Sequence, residues 1–227
     1  MSADEKEIPR SKPRLAIPVG ALVILPLRNM VLFPSTIMPL VVGRPSSLRA
    51  IEEAVRQQVA VGFVSQQDAA IEVPQAKDLF RVGTAADVLR MFGLPDGQRQ
   101  IIIQGRQRFE IAEFLETDPF FIARVTMVEE RIPKSKQFEA RILNLRQEAA
   151  KALGLLPEPM NELKITIEQI ENPLSLIDMI ASTLDLALPE KQEILEALDP
   201  EVRAEKVSEK LAHQIELLEL SKKIGEQ

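Results

Sequence analysis

Three prolines, Pro26, Pro34 and Pro39, punctuate an otherwise apolar stretch, LPLRNMVLFPSTIMPLVVGR, between Leu25 and Arg44. Each proline fixes φ and removes a backbone donor, so neither an uninterrupted helix nor a central strand can run through this segment. The reading that survives is a strand, a stiff Pro-punctuated loop, a second strand and a sharp turn at Gly43. Arg44-Pro45-Ser46-Ser47 then leads into a short amphipathic helix, with the serines as capping residues and Leu48, Ile51 and Val55 on its apolar face.

The β rhythm continues downstream. Val59–Ser65 is a short apolar run, Gln66–Lys77 a polar loop with Pro74, and Arg81–Phe92 a strand. Leu94-Pro95-Asp96-Gly97 is a turn, because Pro presets φ while Asp and Gly tolerate the tight geometry. Gln98–Gln104 returns as the partner of a hairpin, and Gly105 marks a bulge or corner. Arg108–Leu115 and Phe120–Val128 add two more strands around a turn at Asp118-Pro119. About six strands and one helix make a small, strongly bent sheet or partly closed barrel.

The pattern changes at EERIPKSK, residues 129–136. Phe138, Ile142, Leu145, Ala149 and Leu153 then recur at helical spacing, with Gly154 placed as the residue after the helix. Met160, Leu163, Ile167 and Ile170 give a second helix. Asn172-Pro173, a cap followed by Pro, opens a third through Leu174, Ile177, Ile180 and Leu184. Leu188-Pro189 opens a short fourth. Pro200 to about Ile224 forms a last helix of roughly 37 Å, its stripe made by Val207, Leu211, Ile215 and Leu218. The expected organisation is α+β in two domains. A disordered tail occupies 1–14, a β domain 15–130, and an all-α bundle ending in a long helix 131–227.

The run LPLRNMVLFPSTIMPLVVGR followed by SLRAIEEA resembles the opening of the amino-terminal domain of Lon, the ATP-dependent serine protease. LPEKQEILEALDPEVRAEKV resembles the helical region that precedes the ATPase module of that family. The resemblance covers about residues 20–224. It implies a PUA-like β domain that recognises unfolded, damaged or degron-bearing polypeptides for protein quality control. It also implies a helical part that supports a homohexameric AAA+ ring; a bacterial cytoplasm is the default location expected from the want of a membrane span or targeting peptide. No G-x-x-x-x-G-K-[ST] phosphate loop occurs in the sequence. ATP, Mg and the Ser-Lys protease dyad would therefore belong to domains outside this chain, which by itself is expected to be non-enzymatic and without a cofactor. The alternatives are a stand-alone binding protein with the same fold, or a nucleic-acid-binding module.

Composition narrows these choices. A net charge of −6, with no Trp or Tyr, argues against a nucleic-acid binder, which usually offers a basic face and stacking aromatics. The absence of cysteine excludes disulfides and thiolate metal sites. No apolar run reaches the roughly 18 residues needed to span a bilayer, so no membrane partner is expected. The residues 1–14 carry both charge signs and no apolar core, unlike a targeting peptide.

Single residues offer little chemistry. His213 is the only histidine and has no ligand cluster around it. Glu52-Glu53 and Glu129-Glu130 read as solvated surface, and no activating base accompanies Ser46-Ser47. Arg99, Arg106 and Arg108 read as a solvated sheet face, with an acidic partner or phosphate as the alternative. The Pro-rich loop and the hairpin tip are different, because they hold many soft apolar side chains. Met30, Leu32, Phe33, Met38, Met91, Phe92 and Leu94 are the candidate substrate contacts, against the alternative that they close the end of the sheet as core.

Overall fold

The computed structural model describes residues 16–156 and 160–225; the tail expected at 1–14 lies outside them. The first part holds strands β1 (Ala21–Leu27), β2 (Ile37–Val42), β3 (Val61–Ser65), β4 (Val82–Gly93), β5 (Arg99–Glu116) and β6 (Phe121–Met127). Helix α1 (Pro45–Gln57) links β2 to β3 and covers one end of the sheet with Ser47, Ala50, Ile51 and Ala54. Its N-cap is Arg44, with no side-chain cap, so the two serines sit inside the first turn rather than capping it. Pro45 takes the first helical position, where a missing N–H costs nothing.

The six strands run in the order β2-β5-β4-β3-β1-β6, and β6 also pairs with β5. The sheet is therefore partly ring-like, yet it is not a barrel. β5 explains both facts. Residues Arg99–Gln104 pair with β2, whereas Phe109–Glu116 pair with β6, so the two neighbours divide one long strand between them. The segments expected as separate strands on either side of Gly105 are this single strand. The predicted irregularity is a register shift, with Ala85 opposite Gln107 and Ala86 opposite Gly105. Gly105 is required there because a Cβ would meet the Phe33 carbonyl oxygen at 2.3 Å.

Two of the three prolines lie inside strands rather than in the loop. Pro26 pairs with Val64 in a parallel ladder, and Pro39 lies opposite Ile102. Both are tolerated because each turns its donor-less nitrogen to an unpaired edge. β6 leaves β1 after Ile24, and β2 has β5 as its one strand neighbour.

The second part contains α2 (Lys136–Leu155), α3 (Asn161–Gln169), α4 (Pro173–Thr183), α5 (Leu188–Glu196) and α6 (Pro200–Gly225). α2 and α6 pack along each other, burying Phe138, Ile142, Leu145 and Ala149 against Ala204, Val207, Leu211 and Ile215. Gly154 is helical, and α2 ends one residue later without a left-handed glycine. Asn172 caps α4 through its side-chain oxygen, which accepts from the N–H groups of Leu174 and Ser175. Arg146 of α2 reaches the carbonyls of Ile167, Glu168 and Ile170 and so terminates α3. No helix among the described residues is long and apolar enough to cross a membrane.

Sheet and helices share a core. Val31, Phe33 and Val82 belong to the cluster built by the helices, while Leu32 belongs to the cluster beneath α1. Three consecutive loop residues thus feed two different interiors.

Candidate functional site

Paired residues of neighbouring strands project to the same side of a sheet. On β2, β5 and β4 the register places Ile37 beside Gln104 and Asp87, Pro39 beside Ile102 and Arg90, and Val41 beside Gln100 and Phe92. The outward face of these strands therefore carries Ile37, Pro39, Val41, Ile102 and Phe92. Ile37 is 60% exposed, Val41 53% and Phe92 46%. Arg90 and the glutamines surround them. This is an apolar strip with a polar margin, on the rigid outer surface of a paired sheet.

The inward face of the same strands carries Met38, Leu40, Val88 and Met91, which pack against the core beneath α1. The period of two thus sorts the predicted contacts. Phe92 is on the open surface. Met91 and Met38 are half-buried beneath it, and Met30 is half-buried in the loop. Leu94 is also partly covered; its N–H closes the hairpin turn on the Gln98 carbonyl at 2.9 Å.

Leu32 and Phe33 are corrections. They are 2% and 0% exposed and form core rather than surface. The loop is held inward by its own carbonyls: Thr84 Oγ1 donates to Leu32, Thr36 Oγ1 to Phe33 and Ser65 Oγ to Met30, each at 2.6 Å. With its carbonyls pinned to buried hydroxyls, the loop has no choice about where its side chains go.

Ile37, Val41 and Ile102 were not among the expected contacts, although the alternation in Ile37-Met38-Pro39-Leu40-Val41-Val42 was visible. Two clefts flank the strip. One, of about 410 Å³, lies between the Pro-rich loop and the helices, with Met30, Ile37, Met38, Leu186, Leu188 and Lys191 on its walls. Burial pushes the Lys191 ammonium pKa below its ordinary value, and Nζ donates to the Ser182 carbonyl at 3.2 Å. The other, of about 520 Å³, is lined by Val55, Val59, Val88 and Leu89 between α1 and β4.

The arginines expected to share a solvated face do not. Arg106 pairs with Asp87, and Arg99 approaches Glu52 at 3.4 Å, both at the surface. Arg108 is fully buried. It grips Asp178 of α4 with two hydrogen bonds, Nη2 to Oδ1 at 2.5 Å and Nη1 to Oδ2 at 2.9 Å, and donates Nε to the Leu195 carbonyl of α5 at 3.0 Å. Glu130, expected as solvated surface, bridges Arg108 and the equally buried Arg203 of α6. Burial alone would lower the Arg108 pKa, but Asp178 and then Glu130 raise it; Arg203 is lowered by burial and by Arg108 beside it. Two cations and two anions therefore lock β5 to α4, α5 and α6.

His213 is exposed on α6, and no group of three or more potential metal ligands occurs among the described residues.

Residues 21–213 match the family described as the ATP-dependent protease La (LON) substrate-binding domain. The Lon protease of Phenylobacterium zucineum is 42% identical over 211 residues, covering 92% of this chain and 26% of the relative. That of Methylocella silvestris is 40% identical over 207 residues, covering 91% and 26%. The chain thus spans about a quarter of the length of the curated relatives it matches. Among solved structures, the N-terminal domain of a Mycobacterium avium complex Lon protease superposes with a TM-score of 0.71 at 15% identity. That match covers 85% of this chain and 98% of the other, a likeness of fold.

Proposed function

The chain belongs to the Lon substrate-binding domain family, and on that premise we propose that the strip of Ile37, Val41, Ile102 and Phe92 captures apolar segments of unfolded or degron-bearing polypeptides. The observation that carries this reading is the exposure of three large apolar side chains, Ile37, Val41 and Phe92, on one face of a paired sheet. Such side chains gain when a disordered partner covers them, and no reorganisation of the sheet is needed. The flanking cleft, with Met30 and Met38 on its wall and Ile37 at its rim, offers soft surface into which varied sequences fit. Affinity per contact is modest, so subunits of a hexamer would add avidity. In this proposal α6, 26 residues and about 39 Å long, helps carry the gripped chain toward an ATPase ring of a cytoplasmic protease. The chain's own role is then binding rather than catalysis.

The test pairs two variants. Val41→Ser with Phe92→Ser removes two of the four strip side chains without touching the core. Binding of a labelled, permanently unfolded protein, read by fluorescence anisotropy, is expected to weaken about tenfold or more at an unchanged Tm. Leu32→Ala, by contrast, should lower stability by about 2–5 kcal/mol as a core cavity. Unaltered binding by the double variant refutes the assignment of the strip. A gel-shift with labelled DNA or RNA, strong at low salt and lost with salt, would favour the nucleic-acid alternative instead.

A further inference from the structure

The ring of strands fails to close at one place. β1 continues through Leu25–Leu27 after β6 has left it, and β2 faces it with its own free edge. A groove of about 360 Å³ lies between them, floored by Leu25, Leu27, Met30, Leu40 and Val42. The direction of the backbone groups along it follows from two hydrogen bonds. Gln66 N–H donates to the Leu27 carbonyl, so Leu27 turns to the β3 side and Pro26 to the groove. Gly105 N–H donates to the Thr36 carbonyl, so Thr36, Met38, Leu40 and Val42 turn to β5. By alternation, Val41 points its N–H and C=O into the opening.

Arg28 and Arg44 stand at its rim. Arg44 donates to the neutral Gln66 Oε1 at 2.6 Å and Arg28 to the Ile71 carbonyl at 3.3 Å. Neither makes an ion pair with a carboxylate among the described residues. They are close enough that, after burial, the charge of Arg28 depresses the pKa of Arg44. In a chain with 34 acidic residues against 28 basic ones, two neighbouring guanidiniums that meet only neutral acceptors among the described residues are suited to an anion.

We propose that this groove takes the carboxy terminus of an extended polypeptide, paired with Val41 through its backbone and held by its terminal carboxylate between Arg28 and Arg44. Arg44 lies just past the end of β2, so the incoming strand runs parallel to β2, with apolar side chains over Met30 and Leu40. Pro26 and Pro39 withhold donors on either side, so the pairing stays short and reads only the end of the chain. The inference rests on the polypeptide-capture reading and names a second, chemically distinct contact for it.

The test uses the full chain and a labelled eight-residue apolar peptide, once with a free carboxy terminus and once amidated. The free acid should bind about tenfold more tightly, and Arg28→Gln with Arg44→Gln should abolish that preference while Arg28→Lys with Arg44→Lys retains part of it. Phe92→Ser should leave the preference intact. Equal binding of acid and amide, or a preference that survives the glutamine variant, overturns the proposal. So does an amidated peptide with one internal Glu that competes as well as the free acid. If the carboxylate preference is absent while Phe92→Ser still weakens unfolded-protein binding, the groove assignment falls and the capture strip stands. If neither peptide nor unfolded protein binds, the capture reading itself falls.

Discussion

Removing the carboxylate of Asp178 should be among the most damaging single changes in this chain. Its side chain is 2% exposed and takes both hydrogen bonds of the Arg108 fork, while Arg203 Nε lies 3.6 Å from Oδ1. Arg108, Arg203, Asp178 and Glu130 together are neutral; Asp178→Ala leaves two buried guanidiniums sharing one carboxylate. Breaking a buried pair from one side costs about 3–5 kcal/mol, because the remaining charge stays desolvated. At about 2–4 °C per kcal/mol for a chain of this size, Tm should fall by about 10 °C. The assay is urea unfolding followed by far-UV circular dichroism, comparing midpoints at a common slope. A companion variant sharpens it. Replacing the three most buried charges by apolar residues of similar volume (Arg108→Met, Asp178→Leu, Arg203→Met) and neutralising the partly exposed fourth (Glu130→Gln) should recover most of the loss, since hydrophobic packing often equals a buried ion network. A loss below about 1 kcal/mol for Asp178→Ala would refute the reasoning, for it would mean that water reaches the cluster.

Gly105→Ala should cost about 1–3 kcal/mol, as overpacking does, because the added methyl meets the Phe33 backbone rather than a yielding side chain; thermal melts check it, and an unchanged Tm would contradict the close approach. Stability should also decline as pH falls through the carboxylate range. Glu190, Glu193 and Glu219 have pKa values held below the ordinary one, chiefly by hydrogen bonds from Lys210, Lys206 and Lys151. A lowered folded-state pKa gives stability that is present above the unfolded value and lost as pH drops through the folded one. The Tm difference between wild type and Glu190→Gln with Glu193→Gln should therefore narrow in acid; a constant difference would count against these pairs.

What the sequence disclosed depended on how local the cause was. Asn172-Pro173 announces its helix because cap and first turn are adjacent in the chain. Gly105 announces an irregularity because a glycine inside a strand pattern is itself the signal, although its reason, the Phe33 carbonyl, is distant in the chain and the strand runs straight through it. Leu32 and Phe33 read as candidate surface because what covers them, Thr84 and the helical cluster, arrives 50 residues or more later. Arg108 gave no warning at all. Its partners Glu130, Asp178 and Arg203 are scattered over the following 95 residues, and a charged side chain in an alternating strand looks solvated until they are assembled. The outer strip lay within reach, since Ile37, Pro39 and Val41 alternate with Met38, Leu40 and Val42; recognising it needed only the knowledge of which side faced α1.

The stitching of Val31, Leu32 and Phe33 into two interiors has a mechanical outcome. Traction applied to β2 arrives within a few residues at side chains wedged among the helices, and no slack segment intervenes to absorb it. The outer sheet face and the helices are accordingly joined through shared packing. On the capture reading, a pull on a bound segment would pass directly into the helical bundle.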